Sequence, residues 1–337
     1  MSDKITNLKV VAEAAGVSIS TVSRVLADKQ CVQEKTRQRV FETAKRLGYV
    51  PNELAKSLKT GTSNTIALMI PSIQNMIYPD IVRGVEDIAR KYGFIVILCN
   101  TDEDCTIEQS YITKLRTHWI EGFVVASMMA DSTHIVQLHE SGFPVVLACR
   151  YYGENMDAVL IDNVKAAFDA TQYLIRTGRK KIAFAQGRSD LAVYTDRFEG
   201  YKQALAVHDI PFDPRLVIQE TQDLNSLYYY TQKLVRSSAR PDAIFASNDQ
   251  RALIIQRALH DEHILIPKEI AVLGFDNVEI SSLAEPPLST VSQPLYRIGA
   301  LAAKRLIHQI NYRRKYGKMD EPLVDILPTD IIIRSST

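Results

Sequence analysis

The 337-residue sequence has only four cysteines, Cys31, Cys99, Cys105 and Cys149, and none forms a Cys-x-x-Cys pair. Such scatter supplies neither a disulfide framework nor a zinc knuckle, so reduced thiols are expected. Long apolar runs are missing as well. No stretch approaches the roughly 18 unbroken apolar residues of a membrane span, and the opening "MSDKITNLKV" lacks the apolar segment of a secretory signal. A cytoplasmic address and no membrane partner are expected. The sequence also lacks a Gly-x-Ser-x-Gly elbow, a Gly-x-x-x-x-Gly-Lys-Ser/Thr loop and a Gly-x-Gly-x-x-Gly after the first strand. His260 and His263 have metal-like spacing beside Asp261 and Glu262, but no third ligand is in reach by sequence; they read as solvated surface, as do His134 and His139. No enzyme activity, cofactor or metal is expected.

Charge is present in unequal shares. The net value of +1 hides a basic segment, because residues 1 to 61 carry 11 Lys and Arg against 6 Asp and Glu while the remainder is mildly acidic. A small basic head on an acidic body suggests a polyanion-binding module joined to something with another job. The head is expected to be helical. Val11, Ala12 and Ala15 recur at helical spacing from about Leu8 to Ala15, Gly16 supplies a tight turn, and Ser18 can cap a second helix, Ile19 to Leu26. That helix buries Val22, Val25 and Leu26 and turns Ser20, Thr21 and Arg24 outward. A third helix within "QEKTRQRVFETAKRLGY" places Val40, Ala44 and Leu47 on one face and ends at Gly48. This is a helix-turn-helix over residues 1–50. In "VPNELAKSLKTGTSN", Pro51 permits a helix from Asn52 that is too short to hold alone, so residues 51–61 are expected to order on docking.

From Thr65 the pattern alternates. "TIALMIP", "FIVILCN", "GFVVAS" and "PVVLACR" are nearly continuous apolar runs separated by amphipathic stretches, as parallel strands buried on both faces require. The rhythm resumes after "DAVLIDN" with "KIAFAQG", "LVIQE", "AIFASN" and "IAVLGFDN". Two doubly wound α/β lobes in tandem are expected. Strand-like "STVSQP" and "DIIIRSS" flank a helix from Leu295 to Ile310, so the chain crosses between lobes more than once: residues 62–162 plus 292–324 form one lobe and 163–291 plus 325–337 the other. A ligand belongs in the cleft beyond the carboxyl ends of the strands. Tyr228, Tyr229 and Tyr230 read as half-buried packing residues.

Several segments together resemble one family. "VAEAAGVSISTVSRVL", "KTRQRVFETAKRLGYVPNELAKSLKTG", "DRFEGYKQAL", "SNDQRAL" and "VLGFDNVEISSLAEPPLSTVSQPLYRIGALAAKRL" look like the LacI/GalR family of bacterial transcription regulators, in the right order along nearly the whole chain. The resemblance implies an N-terminal all-α helix-turn-helix headpiece with a hinge helix, followed by two periplasmic-binding-protein-like α/β lobes. It implies a homodimer that reads a pseudo-palindromic, double-stranded operator. Carried over by position, base reading falls to Ile19, Ser20 and Arg24, and phosphate contact to Thr21, Ser23 and Thr36. Ile19 departs from the polar or aromatic residue of some members but can pack on a thymine methyl. The hinge motif matches "PNELAKSL", which adds Asn52, puts Ala55 where two hinge helices meet and makes Leu58 a wedge for the minor groove.

In the lobes the resemblance assigns effector contacts to Arg197, Asn248 and Asp276, with Tyr78, Gln293 and Arg150 as further candidates. An Arg, Asn and Asp set offers both donors and acceptors to vicinal hydroxyls, as a sugar needs, and a second arginine favours an acidic or phosphorylated one. The function implied is a repressor of sugar-utilisation genes released by a small sugar or sugar derivative. The alternative is a corepressed or carbon-catabolite regulator answering to a purine-type molecule or to a phosphocarrier protein docked on "LYRIGALAAKRL" through Arg297, Lys304 and Arg305. The end at Thr337, with no apolar heptad tail, favours a dimer over a tetramer.

Overall fold

The computed structural model describes residues 7–26, 32–49, 62–117, 120–127, 132–151, 155–219 and 223–337. The chain divides into two compact units, Met1–Ser63 and Asn64–Thr337. In the first unit, helices α1 (Leu8–Ala15), α2 (Ile19–Leu26) and α3 (Glu34–Arg46) enclose a small core. Val11, Ala12, Ala15, Val22, Val25, Val40 and Ala44 are buried together, and Leu26 and Leu47, expected inside, are half-buried against them. Small side chains on α1 let α2 lie close. Asn7 caps α1 by accepting from the Lys9 and Val10 amides, and Gly16 ends it in the left-handed region, φ 64°, which glycine adopts without a Cβ clash. The Thr21 amide donates to Ser18 Oγ at 3.1 Å, the expected N-cap of α2.

The second unit contains two six-stranded sheets, each interleaved with helices. The first comprises β1 (Thr65–Ile70), β2 (Ile95–Asn100), β3 (Phe123–Val125), β4 (Val145–Ala148), β5 (Asp157–Ile161) and β11 (Val324–Leu327), ordered β11-β5-β4-β3-β1-β2 and parallel throughout. The second comprises β6 (Ile182–Ala185), β7 (Val217–Ile218), β8 (Ala243–Ala246), β9 (Ala271–Asp276), β10 (Ser289–Ser292) and β12 (Asp330–Ile332), ordered β12-β10-β9-β8-β6-β7 with only β12 antiparallel. Helices cover both faces of each. Alternate residues of β1 show why the strands had to be apolar: Ile66, Leu68 and Ile70 pack toward α4 (Tyr78–Lys91) and α11 (Leu295–Tyr316), while Ala67 and Met69 pack toward α5 (Cys105–Leu115) and α6 (Thr133–Glu140). In the second sheet Phe184 and Phe245 face α7 (Asn163–Arg176) and α8 (Ala192–Val207), and Ile244 and Val272 face α9 (Leu224–Val235) and α10 (Asp249–Asp261).

Three expectations are corrected. Strand β2 is an edge strand whose Ile95 and Leu98 are exposed, not buried on both faces. Strand β11 keeps residues 324–327 on the first sheet, so the last crossing follows Leu327 and not residue 324; with Val324 and Ile326 exposed, its pattern carries little of the burial signal a strand prediction uses. Helix α11 runs on to Tyr316, past Ile310, and Gly317 closes it at φ 71°. Its last turn is held by polar bonds: Arg314 pairs with Glu121 and donates to Asn64 Oδ1 at 2.9 Å.

Helices α4 and α11 cross where each has a glycine. A Cβ at Gly84 would overlap the Tyr296 carbonyl, and one at Gly299 would overlap the Ile81 carbonyl. Both obstacles are backbone, so neither can rotate away. Gly84→Ala or Gly299→Ala is therefore expected to lower unfolding free energy by about 1–3 kcal/mol, read as a reduced urea midpoint of the lobes.

Candidate functional site

Two places gather the predicted residues. On α2, residues at positions 20 and 24 share one side of the helix, and the buried Val22 and Val25 hold the opposite side against the core. Ser20 and Arg24 are exposed, Ile19 is 49% exposed, and Thr21 and Ser23 are half-exposed. Ser18 Oγ lies 2.8 Å from both Ser20 Oγ and Thr21 Oγ1, so three hydroxyls cluster at the N-terminal end of the helix. Thr36 is half-exposed near the start of α3. A helix end that presents hydroxyls and a guanidinium, braced from behind, is suited to base edges and phosphates. Asn52, Ala55 and Leu58 lie outside the described residues.

The second place is the cleft at the carboxyl ends of the strands. Tyr78 opens α4 beyond β1, Arg150 follows β4, Asp276 ends β9 and Gln293 follows β10. With Arg197 from α8 they wall a single cavity of about 30 Å³. Arg197, 5% exposed, is the most constrained. Its Nε donates to Asn163 Oδ1 at 2.9 Å and its Nη1 to the Ser247 carbonyl at 2.6 Å, 3.6 Å from Asp276 Oδ1, and the guanidinium carbon lies 3.6 Å from the Phe275 ring centre. Gln293 Nε2 donates to the same Asp276 oxygen at 2.6 Å.

Asp276 carries strain and an altered acidity together. Its φ of 122° is one that side-chain-bearing residues rarely adopt, and such outliers persist only where surrounding bonds hold them. Burial pushes its carboxyl up to about 7; Arg197 opposes that rise and Asp249 adds to it. Asp249, fully buried, accepts from the Val278 amide, Ser281 Oγ and Thr290 Oγ1. Burial also raises the Tyr78 hydroxyl and takes the neighbouring Cys149 thiol to about 12, so both stay neutral hydrogen-bonding groups at ordinary pH.

Asn248 stands behind the cavity wall. Its Oδ1 caps α10 by accepting from the Arg251 amide, and its Nδ2 donates to the Tyr194 hydroxyl at 3.3 Å. Tyr194, like Asn75, Ile77, Cys149 and Val193, lines the cavity without having been expected there. It precedes Arg197 by three positions on α8 and so shares its face, a spacing that was legible. The cavity is much smaller than the about 300–1,000 Å³ of small-molecule sites; a sugar enters only if its walls move apart.

A larger cavity of about 550 Å³ opens on the outer side of the second sheet between β7 and α9, where Tyr230 lines it. None of the predicted effector residues borders it. Tyr229 is mostly exposed, and Tyr228 donates to Asp261 at 2.6 Å. His134 is bonded to Glu108 at 2.6 Å, His260 is solvated, and among the described residues no group of three or more His, Cys, Asp or Glu can hold a metal ion. Among the same residues no helix is long and apolar enough to cross a membrane. On α11, Arg297 and Lys304 are exposed, whereas Arg305 turns inward to Asp157 at 2.5 Å, which removes it from the basic set expected there.

A helix-turn-helix unit and a two-sheet unit with a polar cleft at its strand ends together define a regulator that couples DNA to a small ligand. Comparison with known proteins agrees. Residues 7–52 match the family described as bacterial regulatory proteins, lacI family, and residues 63–321 match periplasmic binding proteins and sugar binding domain of LacI family. The HTH-type transcriptional regulator RegA of Clostridium saccharobutylicum is 35% identical over 98% of this chain and 99% of its own length. The ribose operon repressor of Halalkalibacterium halodurans is 32% identical over 99% and 97%. A solved transcriptional regulator CelR–cellobiose complex is 30% identical, covers 98% of this chain and 100% of that one, and superposes with a TM-score of 0.74. The chain belongs to the LacI family and is a DNA-binding transcriptional regulator.

Proposed function

We propose that this regulator is a repressor of sugar-utilisation genes, released from its operator by a small sugar or sugar derivative bound between the lobes. The observation that carries the reading is the convergence of Tyr78, Arg150, Arg197, Asp276 and Gln293 on one cavity. Ionised Asp276 accepts from hydroxyls, Arg197 and Gln293 donate to them, and Tyr78 does either. The cellobiose complex and the ribose operon repressor among the relatives support a sugar. Asn248 contributes through Tyr194. The lobe of residues 62–162 carries β1 to β5, that of 163–291 carries β6 to β9 and all of β10 but its last residue, Ser292, and the two later crossings join them.

In this reading the protein works in the cytoplasm as a homodimer on a pseudo-palindromic operator, with one α2 in each half-site. Ile95 and Leu98 of the first lobe and Leu283 of the second, 76% exposed, supply apolar surface of the kind a dimer covers. Residues 51–61 act as the hinge, with Leu58 as the wedge in the minor groove, Ala55 where the two hinge helices meet and Asn52 among the DNA contacts. Effector changes DNA affinity only by binding one lobe arrangement better than the other, and a coupling of about 1–3 kcal/mol already changes affinity some 5- to 150-fold.

The test is fluorescence anisotropy of a labelled pseudo-palindrome from upstream of the protein's own gene, at fixed salt, against sugars, sugar acids and sugar phosphates. Release by one class is the expected result. Specific binding that no sugar weakens, but that a purine or a phosphorylated carrier protein strengthens, overturns it in favour of corepression.

A further inference from the structure

An ion-pair cluster at the rim of the cleft joins Arg150 to charged residues outside the proposed effector set. Glu103 lies in the loop after β2 of the first lobe, where it and Asp102 both adopt left-handed φ, 56° and 51°. Its Oε1 accepts from Arg150 Nη2 at 3.0 Å, and its Oε2 pairs with Arg188, from the loop after β6 of the second lobe. Arg188 in turn forms a two-pronged pair with Asp190 at 2.9 and 2.5 Å. Two guanidiniums from opposite lobes thus converge on one carboxylate, and one of them, Arg150, is 8% exposed and lines the effector cavity.

We propose that Arg150 and Arg188 form an anion subsite of the effector cleft, taking the carboxylate or phosphate of an acidic sugar in the place where Glu103 sits. This deepens the proposed function and rests on the effector reading. Three observations lead to it. The cavity is too small for a sugar, so a group at its wall or bonded to its wall must yield. Arg197 and Asp276 are poor choices, being tied to each other, to Asn163, to the Ser247 carbonyl and to Gln293. Of the three groups Arg150, Glu103 and Arg188, Glu103 is the most exposed, and from its loop it lies beside the cavity, bonded to the wall residue Arg150.

The charge balance selects the ligand. A neutral sugar that displaced Glu103 would take one carboxylate from two guanidiniums, Arg150 and Arg188, that share it with Asp190 nearby, an excess of buried positive charge that proteins tolerate badly. An anionic group replaces one carboxylate with another and lets Glu103 go to solvent. Guanidinium forks match carboxylate and phosphate oxygens two at a time. Because the Glu103–Arg188 pair crosses between lobes, the same exchange substitutes a ligand bridge for a protein one, which gives the effector a grip on lobe orientation.

Calorimetric titration of the full-length protein with matched sets, each comprising a neutral sugar, its sugar acid and its 6-phosphate, tests this. For at least one parent sugar the acid or the phosphate is expected to bind about tenfold or more tighter than the neutral form, as hydrogen bonds to charged groups warrant. The sugar-acid and phosphate arms separate the two anions. Arg188→Gln is expected to erase that preference, read as the ratio of anion to neutral-sugar affinity in the same variant, and Glu103→Gln to strengthen anion binding by removing the competitor. Arg188→Lys, which keeps the charge but loses the fork, provides a second variant if Arg188→Gln folds poorly. A neutral sugar that binds as tightly as its acid and phosphate and releases the operator overturns the subsite and leaves the sugar reading standing. If no member of any set binds, the effector reading fails and the subsite with it.

Discussion

Replacing Arg197 with methionine is expected to abolish operator release by the effector while leaving operator affinity without effector nearly unchanged. Arg197 fixes Asn163, the Ser247 carbonyl and Asp276 in one cluster, so its loss removes a ligand donor and also frees the acceptor beside it. Truncating a buried, hydrogen-bonded charge at a binding site costs about 2–5 kcal/mol, or roughly 30-fold to several thousandfold in effector affinity. Methionine keeps contact with the Phe275 face, which limits the packing loss. A variant still released at the wild-type effector concentration would show that Arg197 is a structural strut only. The acidity of Asp276 adds a pH signature. Its ionised form accepts from a ligand hydroxyl, so binding favours ionisation, and affinity rises as pH rises through about 7. Between pH 6 and pH 8 a single group of this kind changes affinity by up to roughly tenfold. Asp276→Asn, which cannot ionise, should bind more weakly with a flat profile.

The elements nearest the site were the most legible. Helices α1 and α2 fall where the spacing of Val11, Ala12, Ala15, Val22 and Val25 puts them, because small helices with one core have a sharp apolar period. The strand ends leading to Arg150 and Asp276 were likewise marked by buried apolar runs that stop abruptly at a polar residue. What stayed hidden was set by tertiary contact. Strand β11 exposes Val324 and Ile326 and exists because β5 offers it an edge, and the end of α11 is held by Arg314 reaching Glu121 across nearly two hundred residues. Glu103 gave no sign at all. Its role follows from a loop that brings it between Arg150 and Arg188, and no local pattern encodes such a meeting.

Arg24→Ala is expected to cost specific operator binding far more than it costs binding to unrelated DNA. Arg24 is exposed one turn beyond Ser20 on α2, and Val25 beside it is fixed in the core, so the guanidinium leaves the helix from a rigid base. A bidentate contact to guanine is worth about 1–3 kcal/mol of discrimination against the wrong base. In the proposed dimer the loss occurs twice, which gives a fall of roughly 30-fold to more than ten thousandfold in specific affinity. A phosphate contact behaves differently. It weakens specific and non-specific binding alike and lowers the slope of log affinity against log salt by about one for each contact. Anisotropy titrations of wild type and Arg24→Ala on operator and on scrambled duplex, over a series of salt concentrations, separate the two. An unchanged slope with a collapsed specificity ratio assigns Arg24 to a base; a reduced slope with the ratio preserved moves it to the backbone and leaves Ser20 and Ile19 to read the sequence.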